Sequence, residues 1–202
     1  MLVTASRLVG TPILSMQSAS PIGTVSEIIV DPNSLKIVAF RIAGPIVNRS
    51  SSILAVSSIR EYSRYGMVVD SIDELVADDD VIKIAQVLEL NFSLTGLKVE
   101  TKKGGKLGTV SDFTATSNDF IIQQLVVKRP MLKSFLDPEL LIPRREIVEI
   151  TDDKVIVKDD EKTIRNKATT ENFVPNFVNP FRNSKPDLAP ADTKSPADTD
   201  TE

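Results

Sequence analysis

A four-residue string, GTVS, stands at Gly23–Ser26 and again at Gly108–Ser111, 85 positions apart in a chain of 202 residues. A repeat of that period constrains the fold more than any single motif, because both copies must solve the same packing problem. The match extends both ways. Upstream, Gly10 precedes TPILS as Gly96 precedes LKVET. Downstream, the turn-rich DPNS (31–34) and TSND (116–119) are followed by LKIVAFRI (35–42) and FIIQQLVV (120–127). Further on, residues 53–71 align with 141–159, which sets Ile59 opposite Ile147.

Each copy reads as short strands separated by turns. PILS and KVET are first strands, and glycine-bearing loops lead to the second strands TVSEIIV and TVSDFTA. Asp-Pro-Asn and Ser-Asn-Asp then favour turns through local side-chain hydrogen bonds. The third strands are rich in Val, Ile and Phe, as pleated surfaces require. Final hairpins form around Arg64-Tyr65-Gly66 and Asp152-Asp153-Lys154. Gly10, Gly23, Gly96 and Gly108 are structural glycines on this reading: Gly23 and Gly108 enter strands and supply a positive φ or a bulge. The alternative, close approach of a ligand to the backbone, stays open. Strand sets this short gain by closing into barrels, which removes exposed edges.

Both copies resemble PRC-barrel domains. The resemblance rests on the Gly-led first strand, the apolar-Gly pairs Ile22-Gly23 and Leu107-Gly108, the acidic residue after the next strand, and the closing hairpin. The second copy is the closer, with Pro143-Arg144-Arg145-Glu146-Ile147 in the family's Pro-x-x-x-Ile step; the first has Ala55 in place of the proline. The resemblance implies small antiparallel β-barrels with no catalytic centre. In that family such domains dock the ribosome maturation factor on a ribosomal protein and form the cytoplasmic part of the photosynthetic reaction-centre H subunit. This chain looks most like the stand-alone tandem members found in bacteria.

The expected architecture is therefore mainly β: barrel 1 at 5–71, a helical linker at 72–93, barrel 2 at 94–158, and a tail at 159–202. In the linker, Ser71 with Glu74 resembles a capping box, and Val81, Ile84, Ala85 and Leu88 recur at helical spacing. Asp78-Asp79-Asp80 reads as a solvated helix start, with a metal site as the alternative. The tail, rich in Pro, Asp and Thr, reads as disordered. Inside it, NFVPNFVNPF (172–181) gathers three of the eight Phe residues, Phe173, Phe177 and Phe181. Clustered aromatics in such a segment imply docking, either on its own barrel or on a partner through an extended mode.

Function classes narrow by composition. There is no Cys and no His, which excludes disulfides, Cys/His zinc sites and imidazole proton transfer. No phosphate loop or Gly-x-Ser-x-Gly elbow is present, so no enzyme, catalytic residue, cofactor or metal is expected. Residues 1–75 carry six basic and six acidic side chains, 76–158 twelve and thirteen, and 159–202 six and nine, so the net charge of −4 sits mostly in the tail. Direct nucleic-acid binding is not expected from that balance. Without an 18-residue apolar run or a secretion signal, no integral membrane segment is expected and the cytoplasm is favoured. The expected activity is protein interaction. A ribosome-assembly or RNA-processing accessory and a membrane-complex scaffold are the alternatives the resemblance brings, with a ribosomal protein as one partner. Candidate partner-binding residues are Arg129, Met131, Leu132, Lys133 and Phe135 in the 128–139 loop, Arg144 and Arg145 after it, and the three tail phenylalanines. The bland reading of Met131, Leu132 and Phe135 is that they plug the barrel mouth.

Overall fold

The computed structural model describes residues 1–48, 52–129 and 139–159. The chain is mainly β, with two antiparallel-rich sheets and few helices. A first strand, β1 (Leu2–Thr4), leads into a single helical turn, α1 (Ala5–Leu8). The first sheet follows: β2 (Pro12–Ser15), β3 (Ser20–Asp31), β4 (Lys36–Ala43), β5 (Ile53–Ala55), β6 (Glu61–Ser63), β7 (Gly66–Val69) and the two-residue β8 (Leu75–Val76). Helix α2 (Ile82–Glu89) precedes the second set: β9 (Lys98–Thr101), β10 (Lys106–Thr116), β11 (Ile122–Lys128), β12 (Glu139–Pro143), β13 (Ile147–Ile150) and β14 (Lys154–Val157).

The strand orders are the same in both copies. The first sheet runs β6-β7-β2-β3-β4-β5 and curls into a half-barrel; the second runs β13-β14-β9-β10-β11-β12. In each, the first and last-hairpin strands pair in parallel, β2 with β7 and β9 with β14, while the other pairings are antiparallel. The additions differ. β8 extends the first sheet beyond β5, whereas β1, from the opposite end of the chain, pairs with the end of β10.

Every letter of GTVS has a physical reason. Gly23 and Gly108 sit at register shifts where β3 and β10 pair with the preceding strand. A Cβ at Gly23 would meet the Ala43 carbonyl oxygen at 2.6 Å, and one at Gly108 would meet that of Lys128. Gly108 has φ +151°, but Gly23 has no positive φ, so close strand approach at a bulge is the requirement common to both. Thr24 and Thr109 face solvent, while Val25 and Val110 are buried. Ser26 and Ser111 fall inside a second register shift, and their hydroxyls donate to the Arg41 and Val126 carbonyls at 3.0 and 3.1 Å. A bulge frees a ladder carbonyl, and the serine satisfies it.

Linker residues act as part of the first sheet. Ser71 caps a short 3₁₀ turn (Ile72–Glu74), its hydroxyl accepting from the Asp73 amide rather than from Glu74. Helix α2 then covers the outer face, where Ile84 packs with Ile29, Ala39 and Ile53, and Val81, Val87 and Leu88 lie against them. Asp78 is not a bare solvated charge: it holds the Arg41 guanidinium at 3.1 Å, and Glu27 holds the same group at 3.1 Å. Those two carboxylates, Asp78 foremost, raise the Arg41 pKa. No group of acidic side chains suited to a metal ion occurs among the described residues, and none of their helices is long and apolar enough to cross a membrane.

Candidate interaction surface

The two copies meet through equivalent turns. The Ile37 amide donates to the Phe120 carbonyl at 3.0 Å, and the Ile122 amide donates to the Leu35 carbonyl at 3.0 Å. Both pairs are related by the 85-residue offset, and the bridge between Lys36 and Ile121 lies midway. This is an isologous contact within one chain, the geometry of a two-fold dimer. Leu35 and Phe120 both have positive φ, 48° and 54°, a cost for bulky residues that the packed junction sustains. Phe120 packs edge-on against Phe40 with ring centres 5.4 Å apart, and against Tyr62 at 6.1 Å. One buried cluster of apolar side chains runs through both sheets.

Arg144 belongs to this junction. Its guanidinium donates to the carbonyls of Ser34 at 2.6 Å, Leu35 at 2.8 Å and Ile122 at 3.2 Å. The structure thus places it between the copies, with three of its donors used there. Arg145 is largely exposed and lies 3.3 Å from the buried Glu146, which Lys158 also approaches. Arg129 is half-buried beyond the end of β11. Met131, Leu132, Lys133 and Phe135, and the tail residues Phe173, Phe177 and Phe181, lie outside the described residues. Gly10 and Gly96 hold φ of 82° and 96°, and a Cβ on either would meet open space, so they serve the chain reversal before each first strand.

Two clefts differ in how their charges are used. One, of about 350 Å³, lies between the two copies and is flanked by the two-fold-related pairs Ser26/Glu27 and Ser111/Asp112. Its acids are engaged: Glu27 with Arg41, and Asp112 with the Ser6 hydroxyl at 2.6 Å and amide at 3.2 Å. The other, of about 380 Å³, lies between β1, α1 and the β6–β7 hairpin, with Arg7, Arg64 and Tyr62 among its walls. No acidic residue lines it among the described residues. Arg64 stacks over Tyr65 at 4.7 Å and donates to its hydroxyl at 2.5 Å. Burial pushes the Tyr62 phenol above its ordinary pKa, and the charge of Arg7 partly opposes that. The exposed apolar side chains of Met1, Leu2 and Val9 line this cleft, and the exposed Tyr65 stands against Arg64 at its wall.

Sequence reasoning misses this surface because its parts are distant in the chain. Arg7, Met1 and Leu2 join Tyr62 and Arg64 only because the first residues cross over to β10.

A family model described as the PRC-barrel domain matches residues 90–164. One PRC-barrel domain in the second half of the chain is thereby supported, and the first sheet shares its strand order without a family match of its own. A search of curated proteins gives no match to the chain.

Proposed function

We propose that the chain is a non-enzymatic interaction protein of the cytoplasm, a double-sheet scaffold that docks a protein partner at the cleft between β1, α1 and the β6–β7 hairpin. The observation that carries this reading is the set of exposed apolar side chains at that cleft, Met1 at 80%, Leu2 at 55% and Val9 at 48% exposure, with Tyr65, 67% exposed, against Arg64 at its wall. Large apolar groups gathered at one concave place, rather than scattered singly, mark interaction surfaces. The PRC-barrel match over 90–164 is consistent with a docking role and assigns no particular partner.

The test is affinity purification of the full chain from its own host beside a variant carrying Leu2→Asp and Val9→Asp. A partner retained by the parent and lost by the folded variant supports the reading. Ribosomal proteins among the lost partners would point to the ribosome-assembly alternative. Recovery that is indistinguishable between the two chains, or no protein above background, overturns it.

A further inference from the structure

We propose that the cleft of Arg7, Arg64 and Tyr62 recognises an acidic peptide segment, one in which Asp or Glu side chains neighbour apolar ones. The inference rests on the interaction reading above and names the chemistry of the partner.

Polar groups in the cleft are donors in search of acceptors. Neither Arg7 nor Arg64 has a carboxylate partner among the described residues, although the protein is acidic overall. Arg64 is steered by its stacking on Tyr65, which fixes the direction of its remaining N–H groups. The Tyr62 hydroxyl donates to no described residue, while its ring is anchored against Phe120. The two nearby hydroxyls are already used: Thr11 donates to the Arg7 carbonyl at 2.9 Å, and Ser63 accepts from the Tyr65 amide at 3.2 Å. Two guanidinium forks and a phenol, with no carboxylate beside them among the described residues, match a carboxylate from outside.

Apolar surroundings distinguish a peptide from other anions. A free phosphate would leave Leu2, Val9 and Tyr65 uncovered, whereas an apolar neighbour of the carboxylate covers them. Two arginines in a chain of net charge −4 are too few for phosphate-backbone tracking along nucleic acid. Local charge complementarity then orients the segment and excludes basic competitors.

Fluorescence anisotropy of the full chain with two sets of short fluorescein-labelled peptides tests this. One set alternates Asp or Glu with Leu or Phe; the other replaces each acid by its amide. The acidic set should bind at least about tenfold tighter. Arg7→Glu with Arg64→Glu should abolish that preference, and Arg7→Lys should keep part of it. Amide shifts at Gly10, Ser63 and Arg64 should follow the titration. Equal binding of the two sets, or indifference to the double arginine variant, overturns the carboxylate assignment. If binding then still falls on Leu2→Asp with Val9→Asp, the interaction reading survives alone. If neither set binds, the acidic-segment proposal fails whatever the purification shows. Inorganic phosphate or anionic vesicles saturating the same amides more tightly than any peptide would also overturn it.

Discussion

On β4, Val38 and Ala39 stand where β11 has Gln123 and Gln124. On β3 and β5, Ile29 and Ile53 stand where β10 and β12 have Thr114 and Leu141. The inward faces are alike: Ile37, Phe40 and Ile42 are buried in the first sheet, and Ile122, Leu125 and Val127 in the second. At these outer positions the first sheet is apolar and recruits α2 as a cover, while the second has Gln124 and Thr114 there beside Leu141. One strand order supports two surroundings, because inward residues set the topology and outward residues choose the neighbours.

The largest effect should come where the copies are least separable. Phe120 is almost fully buried and contacts rings from the first sheet, so Phe120→Ala should cost about 3–5 kcal/mol. Chemical denaturation should show both sheets unfolding in one transition. Two transitions, with only the second sheet weakened, would mean that the copies are independent.

Next comes the outer face. Ile84→Ala should cost about 2–4 kcal/mol by opening a gap between α2 and the first sheet. Gln124→Ala, at the equivalent level of the second sheet, should cost under about 1 kcal/mol, as substitutions away from packed features do. Equal costs in thermal melts would show that the outer faces are not what separates the two copies.

Gly108 and Gly23 sharpen the comparison at the bulges. Gly108→Val should cost about 1–3 kcal/mol from backbone strain alone, with the Lys128 carbonyl in the way besides. Gly23→Val carries no positive-φ strain and meets only the Ala43 carbonyl and the Ile42 side chain, so it should cost less. A reversed order of melting temperatures would put the strain in the wrong copy.

How much of this is legible in the sequence follows from where each signal sits. Strand order is readable because the repeat carries it within each copy: the amides of Gly10 and Gly96 both donate to the valine carbonyl of GTVS, at 2.8 and 2.9 Å. The cover of α2 is readable from the spacing of Ile84 and Leu88. The junction is not, because Leu35 and Phe120 look like ordinary strand residues and their positive φ depends on the opposite copy. Arg144 reads as a surface charge for the same reason, since the carbonyls it binds lie more than 100 positions away or on a neighbouring strand. Nothing in residues 1–4 announces that β1 serves the second sheet.

The smallest effect concerns how each final hairpin is clamped. In the first copy Arg60 grips Asp70 through two hydrogen bonds, at 3.0 and 2.5 Å; in the second, Lys158 reaches the Arg145 carbonyl at 2.7 Å and lies 4.0 Å from Glu146. The Arg60 hydrogen bond holds the Asp70 carboxyl below its usual range. A carboxylate whose folded pKa is depressed contributes stability above its unfolded pKa and loses it as pH falls through the folded value. The first hairpin should therefore loosen only below about pH 4, the ordinary carboxylate range. Both partners are exposed and salt screens them, so the change in melting temperature should be slight. Carboxyl-detected NMR titration is the sensitive readout: Asp70 should titrate below an ordinary aspartate in the parent and return toward it in Arg60→Gln. An unchanged Asp70 midpoint in that variant would remove the clamp from the first copy and leave the two hairpins held alike by their backbones.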